Sequence, residues 1–369
     1  MSRSATANNS NNGVLEFGAS SINQVKQYID NNKVLNLDYE IDHSRLFECA
    51  AEIAVTVYPE WNKNDLECSQ FTDGLTNKLI RCKNKKENFI LLIRTYGTMT
   101  EMFLNREQEI QNIISLSHFG FAAPIYARFK NGIAYGYVHG RPLTLEDCQN
   151  PEIYGLIAKK IAELHRIDVA GSQKPLVFLT IHDWISKVPP RYRNAKFQAQ
   201  FEKDINWPQL VKDINHLEQQ ILKLNAPVKF CHNDLLSLNI IYNEDEKRVS
   251  FIDWEYGCYG YRSLDIALHF INFAGFEASW HQCPKKDYQI KWLRHYLLAY
   301  NSGTEITDYD VELLYREVTK FGLVGLIHIG LWALLQANLS DLDFDFMGYA
   351  VELFNEFYRR RDHEQILKL

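Results

Sequence analysis

Three short apolar runs, VKFC, NIIYN and RVSFI, follow one another between Val228 and Ile252, and the polar breaks around them carry His232, Asp234, Asn239, Asp253 and Glu255. Short runs rich in β-branched and aromatic residues, bounded by polar clusters, read as strands. The polar turn from Asn243 to Lys247 folds the second run back on the third, which returns Asp253 to the side of Asn239. A loop after the first strand places Asp234 near both. Isolated hairpins are marginal in water, so this segment needs a larger body to hold it.

The rest of the chain supplies that body. With 369 residues it is too long for one small core and suits two lobes. From about Leu46 to Tyr96 the pattern predicts strands: AEIAVTVYP is β-branched and partly alternating, FTDGLTNKLIRC reads as strand, turn, strand, and NFILLIRTYG as a buried strand. NREQEIQNIISLSHFG has helical periodicity and ends in Gly120. PIYARF and IAYGYV form a hairpin through Lys130-Asn131-Gly132. Beyond Gly140 the character changes to helices, beginning with Pro151–Ile167, then a loop-rich stretch from Gly171 to Lys196. HLEQQILKLN, YQIKWLRHYLLAYN and DVELLYREVTKFGLVGLIHIGLWALLQANL are predicted helices. The expected class is α+β and bilobed. Residues 1–20 form an Asn/Ser-rich tail expected to be disordered, 21–137 a small β-rich lobe with one helix, and 138–369 a larger, mainly helical lobe, with the boundary near Val138.

Composition narrows the function. The net charge of −6 does not suit a nucleic-acid or anionic-lipid surface, whereas it can attract a small cation. The seven cysteines are scattered without a CxxC pair, as expected of free thiols in a reducing, cytoplasmic setting. The apolar run Phe321–Leu335 is shorter than the ~20 residues that span a bilayer and contains His328, so no stable membrane insertion is expected.

The chemistry follows from the first segment. Phosphoryl transfer needs an acceptor hydroxyl held in place and a metal to neutralise phosphate oxygens. Asp234 on a loop after a strand fits the first task, and Asn239 with Asp253 offers the oxygen ligands a hard cation requires. An Asp before a turn also caps loops, so the weight lies on the ordered set and not on any one residue. His232 reads as a brace for the loop.

The string CHNDLLSLNIIYN…FIDWE resembles the catalytic segment of the choline/ethanolamine kinases, and the likeness runs from about residue 70 to 360. LLIRTYG, DWEYGCYGYRSLDIALHF, WLRHYLLAY and GLWALLQANLSDLDFDFMGYAVELFN resemble further family segments, and the overall flavour leans towards ethanolamine kinases. The resemblance implies a protein-kinase-like fold, ATP and Mg²⁺ as cofactors, and phosphorylation of ethanolamine on the route to phosphatidylethanolamine. Choline or another small amino alcohol is the alternative acceptor, and an inactive scaffold a third reading. It implies that Asp73, Gly74, Thr76 and Asn77 form a turn over the ATP phosphates and that Arg94 contacts them. It further implies that Glu109 pairs with Arg94, Glu107 being the alternative, and that Tyr135–Gly140 is the hinge at the adenine. Tyr256 and Trp332 become aromatic walls for the acceptor's ammonium, Glu255 a ligand of substrate or metal, and Asp265 a loop brace. Leu268 and Asn272 stand where relatives carry Asn and Glu, and Ile329 where they often carry an aromatic. Family members can be dimers, though no interface for a homodimer is legible in the sequence.

Overall fold

The computed structural model describes residues 34–71, 78–97, 105–340, 342–363 and 366–368. Its first part is a six-stranded sheet in the order β1-β5-β6-β4-β3-β2. The strands are β1 (Leu35–Asn36), β2 (Leu66–Phe71), β3 (Lys78–Asn84), β4 (Phe89–Thr95), β5 (Ile125–Phe129) and β6 (Gly132–Gly136). β1 runs parallel to β5, and the other pairs are antiparallel. β4 is interior to the sheet and buried from Leu91 to Thr95, so its sequence is continuously apolar rather than alternating. The β5–β6 turn is fixed by Asn131, whose side chain accepts the Ile41 N–H and donates to the Ile41 carbonyl, both at 3.0 Å. Gly132 beside it has no room for a Cβ, which would fall on the Arg94 carbonyl and the Phe129 ring.

One expectation is overturned here. Leu46–Val57, read as a strand, is a helix, α1. Leu46, Cys49, Ala50, Ile53 and Ala54 recur at helical spacing and are buried against the sheet. The β-branched residues that suggested a strand, Val55, Thr56 and Val57, are only its last turn. Packing an apolar stripe outweighs a weak local preference. Thus two described helices, not one, flank the sheet. The second, α2 (Arg106–His118), is capped by Asn105, whose side chain accepts the Gln108 N–H at 3.1 Å. Adjacent residues of β6 divide between the two cores: Ala134 packs with α1, and Ile133 packs with the core that α2 shares with the rest of the chain.

The second part is helical around two small sheets. In order come β7 (Arg141–Pro142), α3 (Leu145–Gln149), α4 (Pro151–Leu164), α5 (Val177–Lys187), α6 (Ala195–Asp204) and α7 (Trp207–Leu222). Next are β8 (Val228–Cys231), β9 (Ile240–Asn243), β10 (Arg248–Phe251) and β11 (Cys258–Tyr261). The chain closes with α8 (Arg262–Ile271), α9 (Lys286–Tyr300), α10 (Asp308–Leu339) and α11 (Phe346–Tyr358). The expected hairpin is present as β9–β10, with Ile240 opposite Phe251, and β8 pairs with β11. α5 lies in the stretch expected to be loop. Its Val177, Phe178, Ile181 and Trp184 form a buried stripe, but it begins without a side-chain cap, the signal by which helix starts are read.

α10 is the central helix and packs against α5, α8, α9 and α11. By length and apolar composition it could cross a membrane, yet 72% of its most apolar window is buried inside the protein. Close approach to α11 depends on Gly330, where a Cβ would lie 2.5 Å from the Phe354 ring. Gly330→Ala gains ~1 kcal/mol of helix propensity, but overpacking a well-filled core costs up to about 3 kcal/mol. The expected outcome is a lower melting temperature in thermal unfolding; a stabilised variant would mean that the α10–α11 contact yields.

Candidate active site

The site begins where β8 ends. Three residues, His232, Asn233 and Asp234, make a loop whose backbone would leave buried N–H groups without partners. Asp265, in the first turn of α8, takes two of them. Its Oδ2 accepts the His232 N–H at 3.0 Å and its Oδ1 the Asn233 N–H at 2.7 Å. Asn233 is held at φ +63°, a left-handed conformation that non-glycine residues rarely adopt. His165 from α4 adds a third bond to Asp265, Nε2 to Oδ2 at 3.0 Å, while its Nδ1 faces the Tyr296 hydroxyl at 2.9 Å. Burial pushes the His165 pKa down, so the ring is neutral. A tyrosine hydroxyl donating to Nδ1 leaves the proton on Nε2, aimed at the carboxylate. Burial opposes the Asp265 charge, but the His165 hydrogen bond and the backbone donors hold its carboxyl below the usual range. Cys231 lies beside this pair, yet both His165 nitrogens already have partners. The loop is also gripped by His269, whose Nδ1 donates to the Leu235 carbonyl at 3.0 Å.

His232 braces the loop from within. Its Nε2 donates to the Ile252 carbonyl at 2.9 Å, and its Nδ1 accepts the Asp234 N–H at 3.3 Å. Burial lowers its pKa to about 4, so it is neutral and unsuited to proton transfer. Asn239 donates through Nδ2 to both the Asp234 carbonyl, at 2.8 Å, and its carboxylate, at 3.1 Å. That leaves the Asn239 carbonyl oxygen free of this bond. The β9–β10 hairpin then brings Asp253 back, and the Ile252 N–H donates to the Asn239 backbone carbonyl at 3.0 Å. Asp253 has φ +64°, a strained conformation of the kind kept at functional sites. Burial, and then the charge of Glu255, push Asp234 up to about 7 and Asp253 well above the usual carboxylate range. Carboxyl groups so crowded favour a cation among them. Asn239 and Asp253 offer only oxygen donors, which is the donor set a hard divalent metal takes.

The sheet contributes the opposite charge. Arg94 near the end of β4 is 7% exposed and ion-paired with Glu109 of α2, which is 1% exposed. Glu107, left open by the sequence, lies instead on the surface with Arg128, at 2.7 Å. Burial works against the Glu109 charge, but Arg94 and Arg106 hold its carboxyl below the usual range. Arg94 also reaches Asp253, Nη1 to Oδ1 at 3.3 Å. Arg106, which sequence reasoning missed, bonds Glu109 at 2.8 Å and Glu255 at 3.1 Å.

Trp332 on α10 packs edge-on against Phe346 at 5.7 Å between ring centres, and its indole N–H lies beside the Tyr256 phenol. Burial, then the charges of Glu255 and Asp234, push that phenol's pKa well up. A second missed group joins them: Phe344, Phe346 and Tyr349, with Phe276 5.7 Å from both Phe344 and Tyr349. Burial, followed by the Asp234 charge, raises the Tyr349 pKa. The structure therefore brings Asp234, Asn239, Asp253, Arg94, Glu109, Glu255, Tyr256 and Trp332 to one region. Asp73, Gly74, Thr76 and Asn77 lie outside the described residues.

A family model described as Choline/ethanolamine kinase matches residues 68–358. Ethanolamine kinase 1 of Homo sapiens is 35% identical over 338 residues, covering 89% of this chain and 75% of that one. The solved structure of a Plasmodium vivax ethanolamine kinase is similar with a TM-score of 0.77 and 29% identity, covering 93% of this chain and 95% of that one. A choline kinase from Cryptosporidium parvum, 23% identical, shares the fold with a TM-score of 0.71 over 87% of this chain and 97% of its own.

The loop brace makes a direct prediction. Asp265→Asn keeps the shape but removes the charge that three donors share. Hydrogen bonds to charged groups are each worth about 1.5–3 kcal/mol, so a loss of roughly 3 kcal/mol of stability is expected in denaturant unfolding. A variant as stable as the parent would show that the loop holds itself.

Proposed function

The chain belongs to the choline/ethanolamine kinase family, and from that premise we propose that it transfers the γ-phosphoryl group of ATP to the hydroxyl of ethanolamine, giving phosphoethanolamine. The observation that carries this reading is the convergence of Asp234, Asn239, Asp253 and the Arg94–Glu109 pair in a chain whose curated relatives are ethanolamine kinases at about 35% identity.

Asp234 is the residue that accepts the acceptor hydroxyl's proton, directed by Asn239 and by the backbone bond to His232. Arg94, oriented by Glu109, meets the phosphates, and the turn carrying Asp73, Gly74, Thr76 and Asn77 covers them. Asn239 and Asp253 would hold Mg²⁺, which would supply positive charge to neutralise phosphate oxygens. The segment Tyr135–Gly140, at the lobe boundary near Val138, meets the adenine. Tyr256 and Trp332 wall the ammonium by cation–π contact, with Glu255 supplying negative charge nearby. Seven free cysteines, none in a disulfide among the described residues, fit a cytoplasmic enzyme. A homodimer is compatible with this reading and not required by it.

Purified protein with MgATP is expected to release ADP in response to ethanolamine, and more weakly in response to choline at the same concentration. Absence of any ethanolamine-dependent release would overturn the assignment, and a larger choline response would move the substrate within the family.

Asp234 must be ionised to accept a proton. Its folded pKa, raised to about 7, means that kcat/KM for the amino alcohol falls as pH drops, with a midpoint at or below 7 because a bound metal only lowers it. Asp234→Ala is expected to lose the limb and about 10²–10⁴ in turnover. A kcat/KM that rises as pH drops from 8 to 5 would remove Asp234 from this role.

A further inference from the structure

Resting on the kinase reading above, we propose that Arg106 is a positioning residue: it clasps Glu255 across the two lobes, so that Arg94 and Asp253 can part and receive MgATP while the lobes stay aligned.

Arg106 is placed against local preference. It is the first residue of α2, where the helix's positive end disfavours a cation. A local rule broken at a site calls for a compensating gain. The gain is visible in its surroundings. Its side chain is 12% exposed, the guanidinium lies 4.4 Å from the centre of the Tyr96 ring, and Nη1 meets Glu109 at 2.8 Å and Glu255 at 3.1 Å. α2 is fixed to the same C-terminal segment by a second bond, Asn112 Nδ2 donating to the Gly257 carbonyl at 2.7 Å.

Glu109 thus sits between two guanidiniums, and each reaches one carboxylate of Asp253-Trp254-Glu255. The two bridges are not equivalent. The Asp253 side chain is 34% exposed and that of Glu255 is 8% exposed. Arg94 and Asp253 therefore form the bridge that an incoming metal and phosphate can reach. In the proposed reaction both must change partners, Asp253 to the metal and Arg94 to phosphate. The Arg106–Glu255 bridge is the more buried and is asked for neither task. It keeps α2 against the Asp253–Gly257 turn when the first bridge opens. It also balances Glu255, whose charge otherwise adds to that of Asp234 and Asp253. Lysine cannot substitute fully, because the planar guanidinium carries several donors in a fixed fork and an ammonium is a single point charge.

The test compares Arg106→Met, Arg106→Lys, Glu255→Gln and the double variant Arg106→Met/Glu255→Gln. MgATP binding is read by calorimetry without acceptor, and steady-state kinetics with it. Arg106→Met is expected to weaken MgATP binding roughly tenfold while the amino alcohol KM changes less than about threefold. Arg106→Lys is expected to fall between it and the parent, and it keeps the proposal testable should the Met variant not fold. The double variant is expected to bind MgATP about as Glu255→Gln alone does, since Arg106 acts through that carboxylate. MgATP binding unchanged in Arg106→Met, even with a lower melting temperature, overturns the clasp, as do additive effects in the double variant. A parent protein that binds no MgATP overturns the kinase reading itself, and the clasp with it.

Discussion

The site depends on one carboxylate whose hydrogen bonds are all spent on the loop and on His165. Asp265 satisfies two successive backbone N–H groups in a loop that could not otherwise be buried, and it does so from the first turn of α8. The bonds fix the path of the chain through His232 and Asn233, and that path aims Asp234. The left-handed turn at Asn233 is strained on its own and persists because the surroundings over-determine it. Neutral His165 and the Tyr296 hydroxyl extend the same network into the helical core. The position of one side chain is thus set by packing on α4, α8 and α9.

Around that frame the electrostatics are unbalanced by design. Asp234, Asp253, Glu255 and Glu109 face Arg94 and Arg106, and burial raises the cost of every unmatched charge. Two carboxyl groups respond by holding their protons more tightly, Asp234 to about 7 and Asp253 well above the usual carboxylate range. Carboxyl groups so crowded would gain from a divalent cation, since a positive charge beside Asp253 would lower both carboxyl pKa values. Arg94 and Arg106 set positive charge against the same carboxylates, so the imbalance is confined to one region of the protein.

Legibility in the sequence followed the range of the interactions. The segment from His232 to Glu255 was readable because its loop, hairpin and polar breaks are contiguous, and the structure assembles it as β8, loop, β9 and β10. α1 was misread because its stripe of Leu46, Cys49, Ala50 and Ile53 acquires meaning only against the sheet. Glu109 could not be told from Glu107 by sequence; the turn of α2 relative to β4 decides which carboxylate meets Arg94. Arg106 and the aromatic group of Phe344, Phe346 and Tyr349 were missed for the same reason. Their partners lie 149 residues away for the Arg106–Glu255 bond, and in another helix for Trp332 and Phe346. A cation at the first position of a helix was the one local sign.

The departures at Leu268, Asn272 and Ile329 can be weighed in the same terms. Leu268 is 2% exposed and fills the space beside Gly325, so it packs α8 against α10 and presents no donor. Asn272 is the C-cap of α8, and Ile329 is partly buried against the core. Under the proposed reading the acceptor would meet Tyr256, Trp332 and the Phe344–Tyr349 group, which between them hold two phenols, those of Tyr256 and Tyr349. A trimethylammonium has no N–H and is held chiefly by aromatic faces. A primary ammonium has three N–H donors and gains from phenol and carboxylate oxygens as well. If these residues line the acceptor, an aliphatic Ile329 would cost the trimethylated amine more, and Tyr256, Tyr349 and Glu255 would favour the primary one. Of the three departures, Ile329 is the one that points in the direction of the primary amine, whereas Asn272 in place of a carboxylate favours neither.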